Sequence, residues 1–163
     1  MTDREITITI NGLVKTARVE PRRTLADFLR HDLGLTATHL GCEHGVCGAC
    51  TVLLDGETVR SCLALAVHAD GHEVTTVEGV APPGEMHAVQ KALWESGAFQ
   101  CGFCTPGFVM AIYGMEQERA AGLPCPRSRA EIREELSGNI CRCSGYQKII
   151  DGAEAVLAGE GDR

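Results

Sequence analysis

Gly41-Cys42-Glu43-His44-Gly45-Val46-Cys47-Gly48-Ala49-Cys50 sets three thiols and three glycines within ten residues, and its reading decides the fold of the first half of the chain. Glycine reaches backbone conformations that a Cβ forbids, so this segment can wrap around a buried group with its amides close to sulfur. What flanks it reads as sheet. On the N-terminal side Ile6, Ile8 and Ile10 alternate with Thr7 and Thr9, Asn11-Gly12 is a hairpin turn, and Val14 to Val19 form the returning strand. Thr24 and Asp27 stand at the spacing of an acidic capping box ahead of Leu25, Phe28, Leu29 and Leu33, with Gly34 placed to end the predicted helix. On the C-terminal side strands are expected over Thr51 to Leu54, Thr58 to Leu63 and Glu73 to Val77, with Asp55-Gly56 turning between the first two. A hairpin, a helix and three further strands describe a small mixed sheet with a helix across it, the β-grasp arrangement.

Beyond this sheet the pattern changes. Gly79 to Gly84 holds Pro82-Pro83, which stop both strand and helix, so a linker is expected at 80–85 between a sheet domain, 1–79, and a helical domain, 86–163. Helical periodicity then covers Met86 to Glu95 ending at Gly97, Pro106 to Ala121 ending at Gly122, Ala130 to Leu136 ending at Gly138, and Tyr146 to Ala158. The expected fold class is α+β. Ser128 and Glu131 have capping-box spacing before the third helix. Cys101-Gly102-Phe103-Cys104 comes just before Thr105 and Pro106, which suit the N-cap and first position of a helix. Cys141-Arg142-Cys143 precedes Ser144 and Gln147, again at capping-box spacing. A helix start offers unbonded amide hydrogens and the positive end of the helix dipole, both of which favour a thiolate. Two helix starts with two cysteines each make one four-thiolate site.

Nine cysteines in 163 residues are the strongest compositional signal. Eight fall into two groups of four and Cys125 is left over. Tight grouping, an odd count and an N-terminus that runs straight into a strand point to metal rather than disulfides, and to a cytoplasmic location. A net charge of −7 without a basic cluster argues against nucleic acid and anionic membrane surfaces, and no apolar run reaches membrane-spanning length. Neither a phosphate-binding glycine motif nor a Ser-His-Asp or paired-carboxylate arrangement is present, so no catalytic residue is expected on this chain. Cys42, Cys47 and Cys50 have the C-x4-C-x2-C spacing of plant-type [2Fe-2S] sites, with Cys62 on the following strand as the separated fourth ligand. Cys101, Cys104, Cys141 and Cys143, taken alone, also fit a four-thiolate zinc site. Neither group contains the His pair of a Rieske centre.

Taken together, the loop Gly41 to Cys50 with Cys62, then Gln100 to Gly107, then Cys141-Arg142-Cys143-Ser144-Gly145-Tyr146 resemble the small iron-sulfur subunit of the molybdenum hydroxylases, the family of xanthine oxidase, aldehyde oxidoreductase and aerobic CO dehydrogenase. The resemblance runs from the first strand to about Ala158 without a departure at any motif position. It implies an N-terminal plant-type ferredoxin domain and a C-terminal four-helix domain, each holding one [2Fe-2S] cluster. By the same resemblance, Cys101, Cys104, Cys141 and Cys143 would hold the cluster nearer a molybdenum-pterin cofactor on a large partner subunit. Gln100 and Cys143 match positions close to that pterin, and Cys42, Cys47, Cys50 and Cys62 would hold the cluster nearer FAD on a medium subunit. Electrons would run from molybdenum through both clusters to FAD, in a dimer of heterotrimers. Rival readings are a free two-cluster ferredoxin and a zinc module serving as an interaction platform.

Other residues invite simpler explanations. His39 and His44 flank a complete cysteine set and are expected in the loop or at the surface, and His31, His68, His72 and His87 show no partner pattern. Cys125, between two prolines, reads as a structural or exposed thiol. Trp94 and Tyr113 are expected to pack, Phe103 to shield the metal from water, and Gly114 to permit close helix packing.

Overall fold

The computed structural model describes residues 2–157. β1 (Arg4–Ile10) and β2 (Leu13–Val19) form the expected hairpin, in register from Arg4 opposite Val19 to Ile10 opposite Leu13. Asn11 and Gly12 turn it at φ 51° and 77°, as a tight two-residue hairpin requires. Ile6, Ile8 and Ile10 point into the core. α1 (Leu25–Asp27) begins where Thr24 Oγ1 accepts the Asp27 N–H at 3.1 Å. It then widens into a π-helical turn, Phe28–Asp32, closed by Leu33 N–H donating to Phe28 O at 3.1 Å.

β3 (Thr51–Leu54), β4 (Glu57–Arg60) and β5 (Glu73–Thr75) complete a five-stranded sheet in the order β2-β1-β5-β3-β4, in which β1 and β5 run parallel and the other pairs antiparallel. Leu25, Phe28 and Leu29 lie across it against Ile6, Ile8, Ile10, Val52 and Val74. This is the β-grasp arrangement. Two strands end earlier than their composition suggests. β4 stops at Arg60, so Cys62 lies in a turn and not on a strand: Ser61 folds back, its N–H and hydroxyl both reaching Cys50 O at 3.3 and 2.7 Å, and Leu63 N–H bonds Arg60 O at 2.9 Å. β5 stops at Thr75 because the Thr76 N–H leaves the ladder for the Asn11 side-chain oxygen at 2.8 Å, and Val77–Gly79 form a 3-10 turn.

Residues 80–87 contain no helix or strand. The four expected helices follow as α2 (Ala88–Glu95), α3 (Thr105–Ala120), α4 (Arg129–Glu135) and α5 (Gln147–Leu157). Their starts correct three local readings. α3 takes Thr105 as its first residue, so Cys104 and not Thr105 occupies the cap position. α5 starts at Gln147 without a capping box, because Ser144 is engaged elsewhere. His87, for which the sequence suggests no partner, caps α2: its Nδ1 accepts the Val89 N–H at 3.3 Å while Gln90 Oε1 accepts the His87 N–H at 2.8 Å. The Ser128–Glu131 box forms as expected. Ala158, expected to close the last helix, lies outside the described residues.

β3 is the wall that both parts share. Side chains alternate along a strand, so Val52 enters the β-grasp core while Leu53 joins Val89, Leu93, Phe108, Met110, Ile112, Ile132, Ile149 and Leu157 on the helical side. α3 lies against this wall and the loop that leads into it through glycines one heptad apart. A Cβ on Gly107 would collide with Gly48 O, and one on Gly114 would come within 2.7 Å of Thr58 Cγ2 and 3.3 Å of Leu53 Cδ2. Gly114 therefore permits close packing, against a sheet.

Candidate metal centres

The first thiol group sits between α1 and the β3–β4 hairpin. Glu43, Gly45 and Gly48 take positive φ values of 54°, 74° and 74°, coiling the loop. That coil points amide hydrogens inward. His44 N–H and Cys47 N–H both donate to Cys42 Sγ at 3.4 Å and draw its thiol down to about 6, His44 first. Cys50 and Cys62 are buried beside Ala26. Burial, and then the hydrogen bond with Cys50, push the Cys62 thiol up to about 11. Metal binding requires the deprotonated form, so a positive centre there would displace protons.

The second group lies at the N-terminal end of α3. Cys101 and Cys143 are exposed with sulfurs 3.5 Å apart, whereas Cys104 and Cys141 form the inner pair. Burial and the contact with Cys141 push Cys104 up to about 12. Burial also raises Cys141, but the Ser144 hydroxyl at 3.1 Å and its N–H at 3.3 Å outweigh that and bring the thiol below its usual value. Tyr146, at φ 68°, folds its ring back so that its Oη accepts the Cys141 N–H at 2.9 Å. Gln100 Nε2 donates to Cys143 O at 3.0 Å, joining the two residues that the family resemblance implies lie near a pterin.

The thiols stand in pairs: Cys42 beside Cys47 and Cys50 beside Cys62, then Cys101 beside Cys143 and Cys104 beside Cys141. Two pairs per group suit a cluster of two irons, each taking two thiolates. The residues present fit the group.

Several residues near the thiols carry no sequence signal for their role. His39 Nδ1 pairs with Phe103 O at 2.8 Å and stacks on the Phe103 ring, centroids 4.9 Å apart. Phe103 thus leans over Gly41 of the first loop, although it stands between two cysteines of the second. Ile140 N–H donates to Cys47 O at 2.9 Å, so the two loops are in direct hydrogen-bonded contact. Cys125 stays apart from both groups; its Sγ donates to Met115 O at 3.3 Å, and burial raises its pKa.

Residues 8–76 match the 2Fe-2S iron-sulfur cluster binding domain family, and residues 76–154 match the [2Fe-2S] binding domain family. The chain is 50% identical over 157 residues to caffeine dehydrogenase subunit gamma of Pseudomonas sp. (strain CBB1), covering 96% of this chain and 92% of that one. Quinoline 2-oxidoreductase from Pseudomonas putida 86 contains a chain that superposes with a TM-score of 0.87 at 46% identity, covering 98% of this chain and 99% of that one. Aldehyde oxidoreductase from Desulfovibrio gigas superposes with a TM-score of 0.85 at 40% identity, with 95% of this chain matching 17% of a much longer one. No helix among the described residues is long and apolar enough to cross a membrane.

Proposed function

Because this chain belongs to the iron-sulfur subunits of the molybdenum hydroxylases, we propose that its eight paired thiols hold the two [2Fe-2S] clusters of an electron relay from a molybdenum-pterin centre to FAD. Cys42, Cys47, Cys50 and Cys62 hold one cluster, and Cys101, Cys104, Cys141 and Cys143 the other. When bound, each supplies a one-electron redox centre. The observation that carries this reading is the match of residues 8–76 and 76–154 to two [2Fe-2S] domain families, each of which contains one four-cysteine group standing as two pairs.

The chain's own residues set the conditions of transfer. Amide hydrogens on Cys42 and the Ser144 hydroxyl and N–H on Cys141 stabilise negative charge on sulfur, the means by which a protein tunes an iron-sulfur potential. Cys50, Cys62 and Cys141 are buried, which keeps water from the inner side of each site. Cys101 and Cys143 form an open edge, and Gln100 fixes it through the Cys143 carbonyl. That edge faces a large subunit with the molybdenum-pterin cofactor. The Cys42–Cys62 side serves a medium FAD subunit. The chain divides at residues 80–85, works in the cytoplasm, and assembles as a dimer of heterotrimers. The complex hydroxylates an N-heterocycle or an aldehyde, the two kinds of substrate named for its relatives.

Tagged chain purified from its native host tests this. It is expected to bring with it chains containing molybdenum and flavin. Recovery of the cluster-loaded chain alone would contradict the subunit reading and favour a free two-cluster ferredoxin.

A further inference from the structure

A closed ring of hydrogen bonds lies between the two thiol groups and uses none of their sulfurs. Arg60, two residues before Cys62, donates from Nη1 to Thr51 Oγ1, and from Nη2 to Gly138 O at 2.9 Å and Asn139 Oδ1 at 3.3 Å. Thr51 Oγ1 donates onward to Gly48 O at 2.6 Å, and Asn139 Nδ2 donates to the same carbonyl at 3.2 Å. Gly48 lies between Cys47 and Cys50, while Gly138 and Asn139 lead directly into Cys141. The ring thus ties the ligand loop of one group to that of the other.

Its surroundings leave it little freedom. Thr51 is 2% and Asn139 3% exposed, so a polar atom that lost its partner there would be unsatisfied away from water. A Cβ on Gly48 would come within 2.7 Å of Asn139 and Gly138, and one on Gly138 within 2.8 Å of Arg60 Nη2. Beside the ring runs the Ile140 N–H to Cys47 O bond. The covalent link between the halves, in contrast, contains no helix or strand from residue 80 to 87. Transfer between two redox centres slows steeply as the gap between them widens, so a relay of two sites needs that gap held.

We infer that Arg60 is a positioning residue for electron transfer: its planar fork, with Nη1 on Thr51 and Nη2 on Gly138 O and Asn139 Oδ1, braces the Cys141 loop against the Cys47–Cys50 loop and sets the separation of the two cluster sites. This rests on the eight-thiolate assignment above. A lysine would keep the charge but not the fork.

The test takes the cluster-loaded complex with wild-type chain, Arg60→Lys and Asn139→Asp, reduced anaerobically and read by EPR. Asn139→Asp keeps the shape and the acceptor for Arg60 but removes the donor to Gly48 O. Neighbouring reduced clusters split each other's signals to an extent that falls steeply with distance. Both variants are expected to keep the wild-type spin count, to lose part of the mutual splitting, and to pass electrons between the two signals more slowly after a reducing pulse. Wild-type splitting and transfer rate in either fully loaded variant would overturn the inference. So would loss of one cluster from either variant, because the ring would then support a ligand set and not the gap. A wild-type chain lacking one cluster would instead sink the thiolate assignment, and the brace with it.

Discussion

Cys141 and Cys143 are separated by one residue and live in opposite surroundings. Cys141 is buried and receives two hydrogen bonds from Ser144, while Cys143 is exposed and meets Cys101. The grouping of these thiols is legible in their spacing; the work of Ser144 is not. Its position three residues before Gln147 suggests a cap, but the left-handed Tyr146 turns the chain so that its hydroxyl meets sulfur. Cys125 is readable by exclusion, since the other eight cysteines fall into two groups of four without it. Cys125→Ser is therefore expected to leave both clusters in place and to change stability by no more than about 1 kcal/mol, measured by iron content and denaturant unfolding, because a serine hydroxyl can take over the bond to Met115 O. Gly114 has no such latitude. Gly114→Val would drive methyls into Thr58 and Leu53, and overpacking of this kind costs about 1–3 kcal/mol, read as a lower denaturation midpoint.

At the scale of elements, features that depend on neighbours in sequence are readable and those that depend on distant acceptors are not. The α4 box needs only Ser128 and Glu131, three residues apart, and it forms. Ser128→Ala is expected to cost about 1 kcal/mol in unfolding experiments. Bonds from the Ser128 N–H, and then from the Arg127 N–H, hold the Glu131 carboxyl below its usual value. A depressed carboxylate contributes stability that is present above its ordinary pKa and lost as the pH falls through the depressed one. Glu131→Gln should therefore lower stability near neutrality and narrow the difference from wild type under acid. A constant difference across that range would contradict the assignment. The early ends of β4 and β5, by contrast, are set by Cys50 O and by the Asn11 side chain, far away in sequence, while the residues themselves favour strand. His87 caps α2 because its ring can accept from Val89, a role its residue type does not announce.

At the scale of the whole molecule, the division into sheet and helices is legible because hydrophobic periodicity switches after the proline pair. How the halves meet is not. Leu53 reads as one more strand residue, yet it faces α3 and makes β3 a wall common to both cores. His39 and Phe103, and Arg60 and Asn139, join loops whose contact no spacing predicts. These contacts bring two thiol groups of one polypeptide into direct hydrogen-bonded connection, which is the arrangement a relay requires. The most direct test of that central claim is EPR of the anaerobically purified, dithionite-reduced chain in its complex, with spins counted against protein. Two distinct signals integrating to about two spins per chain are expected from eight thiolates holding two one-electron centres. One plant-type signal accompanied by bound zinc would contradict the account, leaving Cys42, Cys47, Cys50 and Cys62 as the redox site and making the Cys101–Cys143 region structural.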